Sequence, residues 1–331
     1  MDYVNEYINI LCENEYGFLP DKPLSVQGEV RGNFSTLSVD GARREIIDLK
    51  INTANGEINF PLYYAKPNKA GKHKTVVAIS FESEIPNRCL PHEVILDKGW
   101  AICSFCYKDV TSDDGNFDDK AAKVLKGDKD NSPGKIAMWA WAAMRVLDYL
   151  YTRDDVDIKN VAVTGHSRLG KTALLTGALD DRFSFVHSNN SGSGGAGLFS
   201  LRNKDSESIE HLCRVFPFWF CKNFKKYVDK EGELPFDQDM LLSLIAPRCL
   251  SVSSAEKDLW ANPYAEQKCA EKASYAWNNL GKKGLIIPNE IEINKIYDEG
   301  RVSYFKREGV HYFSTFDWKA VLDFFDKNLN T

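Results

Sequence analysis

The chain has 331 residues, of which 43% are hydrophobic and 27% charged, a composition typical of a globular protein with one extensive core or two smaller ones. The formal net charge of -5 argues against a nucleic-acid-binding surface, and no run of about 18 apolar residues indicates a membrane span. No basic region followed by an apolar one marks a signal peptide at the start. As written, the chain is therefore expected in the cytoplasm, or outside the cell if a leader has been removed.

Eight cysteines are spread along the chain, and several of them, such as Cys103, Cys106 and Cys249, lie in apolar runs. This placement predicts reduced, buried thiols rather than a disulfide framework. Cys103 and Cys106 form a lone CxxC pair, and a zinc site would need two further ligands at a suitable spacing. The sequence therefore predicts neither a metal nor a cofactor.

The N-terminal third of the chain predicts an irregular arm followed by a β-hairpin. Turn signals over residues 1–35 indicate the arm, and residues 36–331 are expected to form a single domain. Alternating apolar and polar residues over 45–52 and 57–65 predict two strands. The Asn55-Gly56 pair between them is a strong hairpin signal.

Downstream of the hairpin, short apolar runs alternate with helical patterns. The apolar runs predict strands covered on both faces at 75–81, 100–107, 161–163, 185–187, 249–252 and 302–306. Helices are predicted at 93–98, 135–151, 171–179, 264–279 and 316–328. Two long segments, 108–134 and 198–234, are aperiodic and predict loops, the second forming the wall of an open cleft. This order indicates an α/β fold with a mostly parallel central sheet and helices on both faces, a three-layer sandwich.

One stretch in the middle of this pattern, Val161 to Thr172 (VAVTGHSRLGKT), combines a buried strand, a tight glycine turn and a helix. Two kinds of site use that combination. A serine hydrolase raises its nucleophile, here Ser167, on such a turn. A phosphate-binding loop has the pattern GxxxxGK[ST], which Gly165 to Thr172 also matches.

The rest of the chain favours the hydrolase. Such a fold places an acid after a later strand and a histidine near the end of the chain. Of six histidines, His311 alone follows the last predicted strand. Asp258 is the first choice for the acid and Glu256 the alternative, since both follow strand 249–252 at the edge of the sheet where sites collect.

The phosphate-loop interpretation, which would make the chain a nucleotide-binding protein, finds less support. It requires a later strand that ends in an aspartate to hold magnesium. The strand at 185–187 is followed by Ser188, Asn189 and Asn190, none of which is a carboxylate. Against the hydrolase, Leu169 occupies the second glycine position of the usual G-x-S-x-G elbow.

That departure is shared by one known group of enzymes. The segment Gly165-His166-Ser167-Arg168-Leu169-Gly170-Lys171 resembles the G-C-S-R-x-G-K elbow of the glucuronoyl esterases, carbohydrate esterase family 15. The resemblance extends from about residue 40 to the end of the chain. It includes NSGSGG at 190–195, FPFWF at 216–220, IAPR at 245–248 and the acid loop with Trp260.

The resemblance implies an α/β-hydrolase fold and a serine esterase that works through an acyl-enzyme without a cofactor. Its substrate would be a carbohydrate ester, the bond between 4-O-methyl-glucuronic acid on xylan and a lignin alcohol. No nucleic acid or membrane partner is implied. An acetyl xylan esterase with the same triad stays open as an alternative, because many bacterial relatives carry that label.

The resemblance also implies roles for single residues. Ser167 would be the nucleophile, His311 the base, and Arg168 a group that stabilises the oxyanion together with its own backbone N–H. Four further residues would bind the sugar: Lys171, Glu207, Trp219 and Trp260.

The chain departs from the family's pattern at the position of the acid. Fungal members place it just before the SGxGG loop, where this chain has Asn190. The resemblance therefore favours the later position, Asp258, which some bacterial members use. The same departure leaves open a catalytically inactive relative that binds carbohydrate.

Overall fold

A ten-stranded β-sheet runs through the centre of the protein. The computed structural model describes residues 2–35, 42–84 and 86–329. The strands are β1 (Ser25–Ser35), β2 (Arg43–Thr53), β3 (Gly56–Lys66), β4 (His73–Ser80), β5 (Ala101–Cys106), β6 (Val156–His166), β7 (Phe185–Asn189), β8 (Cys249–Ala255), β9 (Ile296–Tyr297) and β10 (Val302–Arg307).

Helices cover both faces of this sheet. They are α1 (Asp2–Leu11), α2 (His92–Asp97), α3 (Tyr107–Val110), α4 (Ala122–Leu125), α5 (Lys135–Leu150), α6 (Arg168–Leu179), α7 (Ile209–Val215), α8 (Gln238–Ser243), α9 (Pro263–Ala273), α10 (Tyr275–Asn279) and α11 (Thr315–Lys327). Within the described part of the chain, none of them has the length and apolarity needed to cross a bilayer.

The order of the strands confirms the predicted α/β-hydrolase architecture. Across the sheet it is β1-β2-β3-β5-β4-β6-β7-β8-β10-β9. The six strands from β5 to β10 in this order are parallel, while β1, β2 and β3 at one edge and β9 at the other pair antiparallel. Because the carboxyl ends of parallel strands meet at one edge, the loops after β6, β7, β8 and β10 converge there.

Alternate residues of the central strands contribute to two separate cores. In β4, Val77 and Ile79 belong to the larger core, while Val76 and Ala78 belong to the smaller one. The larger core packs under α5 and α6, and the smaller one under α2 and α11. A side-chain period of two with both faces covered explains why these strands are apolar throughout.

All predicted strands and helices downstream of the hairpin are present, with one break. The helix predicted over 264–279 divides into α9 and α10 at Ser274, whose hydroxyl donates to the carbonyl of Ala270 and accepts the N–H of Leu285. Such back-bonding by serine bends helices. All eight cysteines are free thiols, as predicted, and six of them are buried.

The prediction of an irregular arm over residues 1–35 is wrong. This segment contains α1, a π-helical turn at Cys12–Tyr16 and β1, which pairs with β2 and extends the sheet. The turn signals in the sequence say nothing of the pairing partner, and strand formation depends on that partner. The predicted domain boundary at residue 36 lies outside the described residues.

A buried carboxyl group anchors this N-terminal segment. Glu15 is fully buried, and both of its oxygens accept hydrogen bonds from the side-chain amide of Gln238, at 2.9 and 3.0 Å. The neighbouring Tyr16 hydroxyl donates to the carbonyl of Gly194, in the loop that follows β7. Burial raises the pKa of Glu15 to about 8, because desolvation disfavours the ionised form.

Replacing Glu15 should remove a pH-dependent part of the stability. Because its pKa is raised on folding from about 4.5 to about 8, its contribution is fully present below pH 4.5 and is lost as the pH rises through 8. Over that window the free energy of unfolding of the wild type should fall relative to Glu15→Gln, by up to about 1.4 kcal/mol per pH unit.

Urea unfolding of both proteins at several pH values measures this difference. Glu13→Gln, which removes an exposed carboxylate from the same turn, is the matched control. A difference between Glu15→Gln and wild type that stays constant between pH 5 and pH 8 would contradict the assignment.

Candidate active site

The turn between β6 and α6 holds Ser167 in a strained conformation. Its backbone has φ 59° and ψ −128°, in the region that non-glycine residues rarely adopt. The N–H of Ser167 donates to the carbonyl of Asn189, which fixes the turn against the end of β7. Strain of this kind collects at functional sites, and a nucleophile elbow shows the same strand, turn and helix. The structure thus forms the elbow that the sequence predicted.

The two glycines of the elbow are required by close packing. A Cβ atom at Gly165 would collide with the carbonyl oxygen of Leu169, and one at Gly170 would lie 2.9 Å from the Ser188 hydroxyl. Leu169 itself is fully buried in the larger core. This packing explains why the second glycine of the elbow stands at position 170 rather than 169, because residue 170 is the one that packs against the turn at 188–191.

His311 and Asp258 meet at this elbow. Nδ1 of His311 lies 2.6 Å from Oδ2 of Asp258, although the two residues are 53 positions apart. The His311 ring also packs against His166, the residue before Ser167, with 4.4 Å between ring centroids. Ser167 and His311 line one cleft. The structure therefore places Ser167 and His311 in one cleft and bonds His311 to Asp258, which agrees with the triad that the sequence predicts.

The environment of Asp258 keeps its carboxylate ionised. Burial raises its pKa, but the His311 ring, the Asn190 amide (Nδ2 to Oδ2, 2.7 Å) and the N–H of Ala261 outweigh burial, so the pKa lies below its ordinary value. An ionised partner at Nδ1 holds the imidazole in the tautomer that leaves Nε2 free to accept a proton. Asn190, at the position of the fungal acid, therefore supports the acid rather than replacing it.

Glu256 is not placed to serve as the acid. Its backbone N–H donates to the carbonyl of Arg307, and within the described residues Nδ1 of His311 is bonded to Asp258 rather than to Glu256. The choice of Asp258 over Glu256 thus agrees with the geometry.

Arg168 lies beside the nucleophile at the start of α6. Its guanidinium forms an ion pair with Asp113 and lies 4.6 Å from the centre of the Trp219 ring, while its buried Nε has no hydrogen-bond partner within the described chain. The first turn of a helix also leaves backbone N–H groups without intrahelical partners. A fixed cation and the N–H groups at the start of a helix suit an oxyanion that develops on a carbonyl attacked by Ser167.

Asp113 is a site residue that sequence reasoning did not identify. Besides the Arg168 ion pair, it accepts hydrogen bonds from the indole of Trp219 at 2.8 Å and the hydroxyl of Tyr107 at 2.9 Å. It lies in the segment 108–134, which the sequence predicts as a long loop, and loops of that length in compact domains are often functional. Several acidic residues share that segment, and nothing in its pattern distinguishes Asp113 from the others.

The predicted sugar-binding residues line the same cleft, which has a volume of about 180 Å³. Trp219 is buried and stacked on Phe216, whereas Trp260 is 43% exposed at the rim. Lys171 donates to Glu207 Oε2 at 2.6 Å and to the carbonyls of Ser191 and Ser193. Contact of these residues with a sugar stays a prediction.

The phosphate-loop alternative does not fit this arrangement. In such a loop the lysine reaches toward the phosphates of a nucleotide. Here Lys171 is 2% exposed, and its three N–H donors already bind two carbonyls and a carboxylate. Its charge is therefore committed to holding the loop at 190–197 and Glu207.

Similarity to known proteins covers most of the chain, including the elbow and the acid loop. The family model described as "Glucuronyl esterase, fungi" matches residues 49–281, which is more than half of the chain. The chain belongs to the glucuronoyl esterase family. The resemblance read from the elbow is thereby confirmed.

Individual members of the glucuronoyl esterase family show how far the likeness extends. Carbohydrate esterase MZ0003 from an unknown prokaryotic organism is 37% identical over 243 residues, 72% of this chain and 55% of that protein. A 4-O-methyl-glucuronoyl methylesterase of Podospora anserina is 28% identical over 288 residues, 83% of this chain and 55% of that protein. The solved glucuronoyl esterase from Solibacter usitatus has a TM-score of 0.89 and 30% identity, over 99% of this chain and 92% of that one. The chain spans about half the length of the first two.

Removing the carboxylate of Asp258 should separate the two candidate acids. Asp258→Asn keeps the shape but cannot hold His311 in its productive tautomer, so kcat on any ester substrate should fall by on the order of 10³- to 10⁴-fold. Glu256→Gln, two residues away, is the matched control and should leave kcat within about twofold of wild type.

Steady-state kinetics on the three proteins at one pH provide the measurement. A large loss in Glu256→Gln, together with a small one in Asp258→Asn, would show that Glu256 is the acid.

Proposed function

We propose that the protein is a serine esterase that hydrolyses 4-O-methyl-glucuronoyl esters of glucuronoxylan. The observation that carries the proposal is that His311, bonded to Asp258, lines the same cleft as the strained Ser167. Family membership and the name of the Podospora anserina relative support the choice of ester.

The reaction follows from these positions. His311 Nε2 takes the proton of the Ser167 hydroxyl as its oxygen attacks the ester carbonyl carbon. The tetrahedral oxyanion receives hydrogen bonds from the backbone N–H groups in the first turn of α6 and lies near the positive charge of Arg168. In a site shielded from water, such interactions lower the activation free energy by several kcal/mol. The alcohol leaves with the proton from His311, and an acyl-enzyme on Ser167 remains. Water, activated by His311, then releases the acid.

The lining of the cleft favours a sugar acid over an acetyl group as the acyl part. An acetyl group needs a small apolar pocket, but the walls here carry the Lys171–Glu207 ion pair and two tryptophan rings, Trp219 and Trp260. Carboxylate oxygens of Glu207 can accept hydrogen bonds from hydroxyls, and indole rings offer flat apolar faces to sugars. These features support a glucuronoyl ester as the substrate.

Two esters with the same alcohol test the proposal. Benzyl glucuronate and benzyl acetate share their leaving group, so the ratio of their kcat/KM values reports the acyl site alone. We expect kcat/KM for the glucuronate to exceed that for the acetate by on the order of 10²-fold or more, because a site built around hydrogen bonds discriminates strongly against a substrate that lacks them.

Two variants serve as controls for this comparison. Ser167→Ala should lose both activities, and Glu207→Gln should lower kcat/KM on the glucuronate while sparing the acetate. Equal rates on both esters, or a preference for the acetate, would contradict the proposal and favour the acetyl xylan esterase alternative.

A further inference from the structure

The side chains of the loop that carries His311 are largely exposed, although the His311 ring contacts Asp258 and His166 and the Tyr312 hydroxyl donates to the carbonyl of Arg88. The side chain of His311 is 41% exposed, and its neighbours Val310 and Tyr312 are 61% and 38% exposed. A loop so exposed would ordinarily be mobile, yet a catalytic imidazole must be held close to its productive geometry. Contacts of the loop backbone are therefore expected to help fix the position of the imidazole.

A buried arginine at the end of β10 lies inside this loop. Arg307 is 6% exposed, and its Nη1 donates to the carbonyl of Glu308 at 3.0 Å. Its Nη2 donates to the carbonyl of Val310 at 3.0 Å and to that of Tyr312. The guanidinium thus binds the backbone on both sides of His311. Three carbonyls held by one planar, rigid group leave the loop little freedom.

The guanidinium of Arg307 is itself held by a buried carboxylate. Its Nε donates to Oδ2 of Asp317 at 2.8 Å, and Asp317 is fully buried. The same carboxylate closes the capping box of α11 with the N–H and hydroxyl of Ser314. Burial raises the pKa of Asp317, and the charge of Arg307 opposes this rise. A buried ion pair of this kind is weak evidence for stability, because desolvation of both charges offsets their attraction.

Two further contacts couple the histidine loop to the acid loop. The N–H of Glu256 donates to the carbonyl of Arg307, and the N–H of Lys257 donates to that of Gly309, both at 2.9 Å. Gly309 has φ 113°, and a Cβ atom there would lie 2.9 Å from Arg307 Nη1. The path of the loop is therefore fitted around the guanidinium, next to the segment that leads to Asp258.

We infer that Arg307 is a positioning residue that holds His311 in line between Asp258 and Ser167 through the loop backbone. The inference rests on the proposed esterase function. Arg307 acts through the loop that carries His311 and does not contact the substrate. Loss of Arg307 should consequently impair the activation of Ser167 and leave the binding of the ester nearly unchanged.

Arg307→Ala tests this inference by a split between kcat and KM. A displacement of His311 by about 1 Å predicts a fall in kcat on the order of 10²-fold, with KM within about twofold of wild type. Inactivation by phenylmethanesulfonyl fluoride, which reports the reactivity of Ser167 without a sugar, should slow in parallel. Arg307→Lys keeps the charge opposite Asp317 but cannot reach three carbonyls at once, so it should show a smaller loss of the same kind.

Arg248 offers a matched control. It is also a largely buried arginine whose guanidinium donates to backbone carbonyls, among them those of Gly177 and Phe183 at 2.7 and 2.9 Å. It lies immediately before β8, at the amino ends of the parallel strands, whereas the cleft lies at their carboxyl ends. Arg248→Ala should therefore lower the melting temperature without changing kcat or the rate of inactivation at temperatures where it is folded.

The outcomes separate the two proposals. If Arg307→Ala or Arg307→Lys, shown to be folded by circular dichroism, keeps kcat and the inactivation rate within about twofold of Arg248→Ala, the inference is overturned. Wild-type protein that is inactivated by the sulfonyl fluoride but does not cleave benzyl glucuronate would contradict the proposed substrate alone. The inactivation rates of the variants would then still decide the role of Arg307.

Discussion

The hydrogen bond between Asp258 and His311 is the interaction on which the rest of the site depends. It joins the loops after β8 and β10, and it places a negative charge in a buried position where an isolated carboxylate would be unstable. That charge persists because His311 and Asn190 supply hydrogen bonds that outweigh the cost of burial. The parallel sheet makes the arrangement possible, because it brings the carboxyl ends of successive strands to one edge.

Neutral polar side chains at the carboxyl ends of β6, β7 and β8 form a hydrogen-bond network next to this pair. His166 Nδ1 lies 2.6 Å from Asn189 Oδ1, the Asn189 amide donates to the Ser253 hydroxyl, and His187 Nε2 lies 3.0 Å from the same hydroxyl. The pKa of His166 and of His187 is lowered to about 3, mainly by burial, and the nearby His311 contributes to the shift at His166. Both imidazoles therefore stay uncharged at neutral pH, and neither competes with His311 for the proton of Ser167.

The order of residues along the chain made the triad predictable, but the contacts that surround the triad could not be predicted from the sequence. Ser167, Asp258 and His311 each follow a strand recognisable from its apolar run, so their convergence could be expected from the fold class alone. The pairing of Arg168 with Asp113 spans 55 positions with no periodic signal, and it depends on the path of a long loop. The pairing of β1 with β2 was missed for a similar reason, since local turn signals do not reveal a strand's partner.

A double-mutant cycle on His311 and Asp258 tests the central claim most directly. If Asp258 acts through the imidazole alone, Asp258→Asn should cost on the order of 10³-fold or more in kcat when His311 is present and almost nothing in the His311→Ala background. Losses that multiply in the double variant would contradict the account, because they would show that the carboxylate contributes to ester hydrolysis independently of the histidine.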